Sequence, residues 1–285
     1  MTASIRSLLP ARDGTALALH DWPAPAGAPA ATVVLVHGLG EHAGRYGALA
    51  HWLAERGLAV RGYDQRGHGQ SGGNRGALPH DERLLDDLAL VLQDTRRQMP
   101  AGQPLVLLGH SMGGLVAAAF VARGQGPAVD ALVLSSPALA AFLNPVQRLL
   151  LATLPRLLPD LRVGNGLDAR QLSHDAAVVA AYQADPLCHD RISARLAGFI
   201  GGAGAPVVAG AARWRLPTLL MWGEGDRIVD PTGCRAFAAA APSQVLTARG
   251  FPGLYHEIFN ETPALAAPVY ALLQDWLAGQ GLVKI

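Results

Sequence analysis

The hexapeptide Gly109-His110-Ser111-Met112-Gly113-Gly114 sets one hydroxyl among small residues, after Pro104-Leu105-Val106-Leu107-Leu108 and before Leu115-Val116-Ala117-Ala118-Ala119-Phe120. A buried strand, a glycine-crowded turn and an Ala-rich helix are the setting in which Gly-x-Ser-x-Gly lifts a serine out of a strained backbone. Ser111 is therefore read as a nucleophile. Gly109 and Gly113 flank it where a side chain would collide across the turn. The same pentapeptide also arises by chance as punctuation between strand and helix, so the partners decide.

A hydroxyl is a weak nucleophile at neutral pH. It needs a histidine to take its proton and an acid to fix the histidine tautomer. With a turn of this kind the chain order is Ser, acid, His. Ten histidines compete. His110 would project away from the hydroxyl, while His37, His42 and His68 precede Ser111. His20, His51, His80 and His174 have no convergent partner in sequence, and His189 falls in an apparent insertion. His256 alone follows the last expected strand and precedes the last expected helix, in Gly253-Leu254-Tyr255-His256-Glu257. Asp226, where Leu219-Leu220-Met221-Trp222-Gly223 breaks into a loop, is the expected acid, with Asp230 in reserve. The negative charge of a tetrahedral intermediate needs backbone donors. Leu39, in His37-Gly38-Leu39-Gly40, and Met112 are the expected pair, with His37 as an anchor of the loop.

These residues need elements to bring them together. A chain of 285 residues, 50% hydrophobic and 16% charged, can bury one large core with an insertion. Residues 5–9 and 17–22, around Asp13-Gly14, read as a hairpin, and 32–36 as a strand buried on both faces. A helix over 45–56 stopped by Gly57, a strand over 58–63, and a helix capped by Asp81 and running to about Gln98 follow. After the serine turn come strands over 131–135, 218–222 and 244–247, and helices over 234–240 and 263–277. Such alternation predicts a mostly parallel sheet with helices on both faces, and sites at its carboxyl edge.

Residues 138–215 break the alternation. They read as a helical cap inserted between a core made of 1–137 and 216–285. Leu149, Leu150, Leu151, Leu154, Leu157, Leu158 and Leu161 spread round one short helix. They are expected to pack the cap onto the core, or else to form an acyl-chain channel or a lid touching a membrane surface. Gly201-Gly202-Ala203-Gly204 lacks the residues of a phosphate loop and reads as a flexible piece of the cap.

Net charge is +1, so there is no electrostatic case for nucleic acid. Cys188 and Cys234 lack the spacing of a disulfide framework or a zinc site, so no metal and a reducing, cytoplasmic setting are expected. The segment from Met1 to Pro10 shows no apolar stretch, so no secretory leader is expected, and no uninterrupted apolar run nears the roughly 20 residues of a membrane span. Oligomeric state is not legible.

Five segments taken together carry a resemblance: His37-Gly38-Leu39-Gly40-Glu41-His42-Ala43-Gly44-Arg45-Tyr46, Asp64-Gln65-Arg66-Gly67-His68-Gly69-Gln70-Ser71-Gly72, the serine turn, Asp226-Arg227-Ile228-Val229, and His256-Glu257-Ile258-Phe259-Asn260-Glu261. In these the chain resembles the monoacylglycerol lipase and lysophospholipase branch of the α/β-hydrolases, often grouped with serine aminopeptidase-like hydrolases. The resemblance implies an α/β-hydrolase fold with an eight-stranded sheet, and a cofactor-free serine esterase acting on small acyl esters such as monoacylglycerols. It assigns Ser111, Asp226 and His256 to the triad and Leu39 and Met112 to the oxyanion hole. Competing readings are a short-chain esterase, thioesterase or aminopeptidase-like hydrolase on the same triad, and a non-catalytic ligand-binding fold. Asp185-Pro186-Leu187 is similar to a cap element of the family. The rest of the cap matches least, so acyl-chain and head-group preference stay open, as does peripheral contact with a membrane.

Overall fold

The computed structural model describes residues 4–24, 29–124 and 126–283; Met1 lies outside them. Its first half runs β1 (Ile5–Pro10), β2 (Ala16–Trp22), β3 (Ala31–Val36), α1 (Gly47–Ala54), β4 (Leu58–Tyr63), α2 (Arg83–Gln98), β5 (Leu105–His110), α3 (Met112–Arg123) and β6 (Ala131–Ser135). After an insertion, β9 (Thr218–Gly223), α7 (Thr232–Ala240), β10 (Leu246–Phe251) and α8 (Pro263–Gly279) complete it.

The eight strands lie in the order β1-β2-β4-β3-β5-β6-β9-β10. β2 is antiparallel to both β1 and β4, and every pairing from β4 to β10 is parallel. The central strands β3, β5, β6 and β9 are buried throughout. Their residues alternate between two cores: Val34, Val36, Leu105 and Leu107 face one, and Val33, Leu35, Val106 and Leu108 the other. Helices on both faces explain why these strands read as continuous apolar runs. From β3 the chain moves outward to β4, then crosses back to lay β5 on the other side of β3. That reversal opens a crevice at the carboxyl ends of β3 and β5, where open α/β sheets bind ligands.

The helices differ from expectation in detail. Residues 43–46 form a 3₁₀ turn ahead of α1. α2 is capped at Glu82, and Asp81 instead lies 3.5 Å from Arg195. The expected all-helical insertion contains α4 (Pro145–Leu157), α5 (Ala176–Ala184), α6 (Ala194–Gly210) and also a small antiparallel pair, β7 (Arg162–Gly164) with β8 (Arg191–Ser193). Three-residue strands leave no period-2 pattern to read.

Gly201-Gly202-Ala203-Gly204 is not a flexible piece. It lies inside α6, where glycine lets neighbours approach closely. A Cβ on Gly201 would come 2.9 Å from Leu151, one on Gly198 2.7 Å from Pro155, and one on Gly204 would strike the Leu139 carbonyl. The leucines of α4 do not pack it onto the core, since none of its residues is buried. Leu149 is 64% exposed and Leu157 73%. Among the described residues one helical stretch, Ala194–Arg213, is long and apolar enough to cross a membrane by length and composition. α6 packs against α3, α4 and α7, as a helix of a folded domain does.

Gly113 shows how tightly the serine turn is wedged into the sheet. A Cβ there would collide with the carbonyl oxygens of Val36 and His37, both backbone atoms. Gly113→Ala is therefore expected to cost about 3 kcal/mol, the upper end for overpacking, read as a lower urea midpoint at unchanged slope.

Candidate active site

Ser111 joins β5 to α3 with φ +55° and ψ −122°, a conformation that costs a non-glycine residue about 1–3 kcal/mol. The surroundings impose it. A Cβ on Gly109 would sit 2.5 Å from the Gly113 carbonyl, and one on Gly114 2.9 Å from Pro137, so the strand and helix approach as they do only with glycines. The Ser111 amide bonds to the Ser135 carbonyl and its carbonyl accepts from Ala138. Its side chain faces a narrow cavity lined by Gly38, Leu39, His110, Ile228 and His256.

His256 enters that cavity from the loop after β10 and is 3% exposed. Its Nδ1 lies 2.6 Å from Oδ2 of Asp226. The other carboxylate oxygen of Asp226 accepts the amides of Ile228 (2.8 Å) and Val229 (3.0 Å), which lock the carboxylate plane toward the imidazole. Burial alone would raise the Asp226 pKa, but the charge and hydrogen bond of His256 hold it below the usual carboxylate range. Asp230 does not reach the histidine; its carboxylate accepts from Thr232 N. With Nδ1–H given to Asp226, Nε2 of His256 is left to accept a proton. The bond from such a nitrogen to the serine often tightens only when substrate is present.

His110, set aside as a base, lies with its ring centroid 4.7 Å from that of His256, tilted by 54°, and bonds Ser135 Oγ. Burial, and then the neighbouring His256, push it down to about 4, so it stays neutral beside the His256 ring.

The loop after β3 supplies the other wall. His37 donates Nδ1–H to the Gly38 carbonyl (2.7 Å) and accepts from Gln65 N at Nε2 (2.8 Å), so it anchors the loop as expected. Among the described residues no hydrogen bond uses the Leu39 N–H, while the Gly38 N–H beside it is held by Glu41 at 2.6 Å. Met112 opens α3, where amides lack an intrahelical acceptor. Both expected oxyanion donors thus belong to residues beside Ser111 and the cavity.

Leu167, Ala169, Leu172 and Tyr182 of the insertion close the cavity from above. Leu39, Leu167 and Ile228 also line a neighbouring apolar cavity of about 350 Å³, together with Leu150, Leu151, Leu154 and Leu161. Part of the leucine set thus lines a hollow.

His42, Asp185 and Cys188 place one donor atom each within 4.8 Å of one another, the spacing of a metal site. The hydrogen bonds argue against one. His42 Nδ1 accepts from Gly44 N, so Nε2 carries the proton and donates to Asp185 at 2.8 Å. Burial pushes the Cys188 thiol up to about 12, so it stays protonated beside this pair. The trio ties the insertion to the loop after β3.

A family model described as serine aminopeptidase, S33, matches residues 27–263. The chain belongs to this family. It is 38% identical over 246 residues to the monoacylglycerol lipase of Mycolicibacterium smegmatis, covering 85% of this chain and 87% of that one. It is 31% identical over 272 residues to the monoglyceride lipase of Homo sapiens, covering 93% and 88%. The crystal structure of Paleococcus ferrophilus monoacylglycerol lipase matches with a TM-score of 0.82 at 33% identity, over 92% of this chain and 98% of that one. A soluble variant of the Saccharomyces cerevisiae monoglyceride lipase, at 24% identity and a TM-score of 0.87, shares the α/β-hydrolase fold.

Sequence reasoning did not single out Glu41, Arg45 and Glu257 for the site of this family member. Arg45 bridges the two carboxylates beside the cavity. The adjacency of Glu257 to His256 and the Glu41, Arg45 spacing were the available signals.

Burial would lower the His256 pKa, but Asp226, by charge and hydrogen bond, then Glu257 and Glu41, raise it above its ordinary value. A base must be neutral, so kcat/KM is expected to fall with acidity on a limb centred above the ordinary histidine value of about 6.5. Asp226→Asn is expected to move that limb down and lower kcat about 10,000-fold. A limb left unmoved would remove Asp226 from this role.

Proposed function

We propose that this protein is a serine carboxylic-ester hydrolase of the monoacylglycerol lipase type, with Ser111 as nucleophile, His256 as base and Asp226 as its orienting acid. The observation that carries the reading is the buried His256–Asp226 pair facing, across one cavity, a serine held at φ +55°. The packing around the turn holds that strain in place, and strain of this kind collects at functional sites.

In the first half-reaction Ser111 Oγ bonds to the ester carbonyl carbon as His256 Nε2 takes its proton. The oxyanion lies against the amides of Leu39 and Met112. Collapse breaks the carbon–oxygen bond, and the alcohol leaves with the proton that His256 returns. A water then repeats the attack on the acyl-enzyme, with the same base, and frees the acid. Asp226 stays ionised throughout. Removing one oxyanion donor of this kind typically costs about 3–4 kcal/mol.

The apolar cavity of about 350 Å³ beside the site has the size and lining that suit a single acyl chain. Val146, Leu149, Leu157 and Leu158 stay exposed on the outer side of the insertion, which suits brief contact with a lipid surface where such esters reside. The family description, serine aminopeptidase, makes a peptide amide the rival substrate.

Two measurements test the assignment. Fluorophosphonate labelling is expected in the wild type and absent in Ser111→Ala; labelling that survived would remove Ser111 from its role. On a panel of p-nitrophenyl esters, monoacylglycerols and aminoacyl amides, kcat/KM is expected to favour the longer acyl esters. Leu154→Trp should erase that preference while sparing acetyl esters, and a preference for the amides would reject the lipase reading.

A further inference from the structure

Gly38 is sandwiched between the nucleophile and a buried carboxylate. A Cβ there would lie 3.2 Å from Ser111 Cβ and 2.8 Å from Glu41 Oε1. Oε1 of Glu41 accepts from Gly38 N (2.6 Å) and from the Tyr46 hydroxyl (2.6 Å), and Oε2 accepts from Arg45 NH1 (2.5 Å). Arg45 in turn forks onto Glu257, NH1 to Oε1 at 2.6 Å and NH2 to Oε2 at 2.9 Å. Asn260 Nδ2 donates to the same Oε2, and the Glu257 amide bonds to the Leu172 carbonyl. Glu41 is 3% and Glu257 4% exposed. Two buried carboxylates thus share one guanidinium, whose fork fixes its plane in a way a point charge would not.

The geometry points to Glu257 as a positioning residue for the oxyanion loop: through Arg45 it holds Glu41, which keeps the Gly38 amide turned inward and leaves the next amide, that of Leu39, free for the oxyanion. Glu257 touches no reacting atom in this scheme. Arg45 has both carboxylates to satisfy and is not a free cation for the leaving alcohol. Loosening the fork lets the Gly38-Leu39 peptide drift, and drift of an ångström in a catalytic donor costs about 100-fold in rate. The loss belongs to the transition state, because the ground-state carbonyl depends less on that donor.

This inference rests on the esterase reading, and the test separates the two. Wild type, Glu257→Gln and Arg45→Lys are compared as full-length proteins on p-nitrophenyl butyrate, which carries no glycerol, and on a monoacylglycerol. Both variants are expected to lose about 10- to 100-fold in kcat on both substrates, with KM within about 2-fold. An alkyl boronic acid, which forms a tetrahedral adduct, should weaken by the same factor, while a monoalkylglycerol ether, which cannot react, keeps its affinity. Variants as fast as wild type, or a rise in KM confined to the monoacylglycerol, would overturn the positioning role; the second outcome would make the network a head-group contact. A wild type that turned over neither ester would instead reject the esterase reading. Should both variants fail to fold, Tyr46→Phe removes one hydrogen bond to Glu41 and no charge. It is expected to lower kcat about 3- to 10-fold at constant KM, and an unchanged kcat there would count against the proposal.

Discussion

The structure depends on the close approach of β3 to the turn between β5 and α3. Gly113 fits against the backbone carbonyls of Val36 and His37 with no room for a methyl group, and that contact holds Ser111 at its positive φ. Relaxing the serine would require separating two central strands paired in register, Val36 beside Gly109, at the middle of the sheet. The strain is local, and the restraint is the packing of two cores. The same contact brings the loop after β3 beside the serine, so Ser111 and the loop bearing Leu39 are placed by one packing event.

Around that point the loops at the carboxyl edge are fixed by buried carboxylates that accept backbone amides. Asp226 holds Ile228 and Val229, Asp64 holds Ala43 and Gln70, and Glu261 holds His174 and Tyr255. Each uses a charged acceptor, roughly twice as strong as a neutral one, to order backbone that no strand or helix orders. Each also leaves an oxygen near a ring: His256 for Asp226, His20 for Asp64, His174 for Glu261. Asp226 alone among these joins its ring to the cavity of the serine. One structural device serves both as a loop fastener and, in the proposed triad, as the acid that orients His256.

The sheet, its helices and the segments bearing Ser111, Asp226 and His256 were legible because each carries a local pattern: buried β-branched runs, glycine at fixed offsets, and position relative to the last strand and helix. The network of Glu41, Arg45 and Glu257 was not, because Glu257 lies far in sequence from the Glu41, Arg45 pair and meets it only when the loops after β3 and β10 converge. Glycines in α6 misled for a related reason. Composition reads them as slack, whereas Gly201 and Gly204 are small because Leu151 and the Leu139 carbonyl press on them. The leucines of α4 failed the expectation of core packing because periodicity reports an apolar surface without saying what covers it. Here that surface divides between a hollow and the outside.

The insertion is fastened to the loop it roofs. His189 N donates to the Gly40 carbonyl, the Tyr182 hydroxyl reaches the same oxygen, and Asp185 accepts a hydrogen bond from His42 Nε2. Gly40 follows Leu39 directly, and His42 lies within the same turn. The bonds at Gly40 and His42 thus tie the insertion to the peptide that follows Leu39, so the position of the Leu39 amide is set by the insertion as well as by β3.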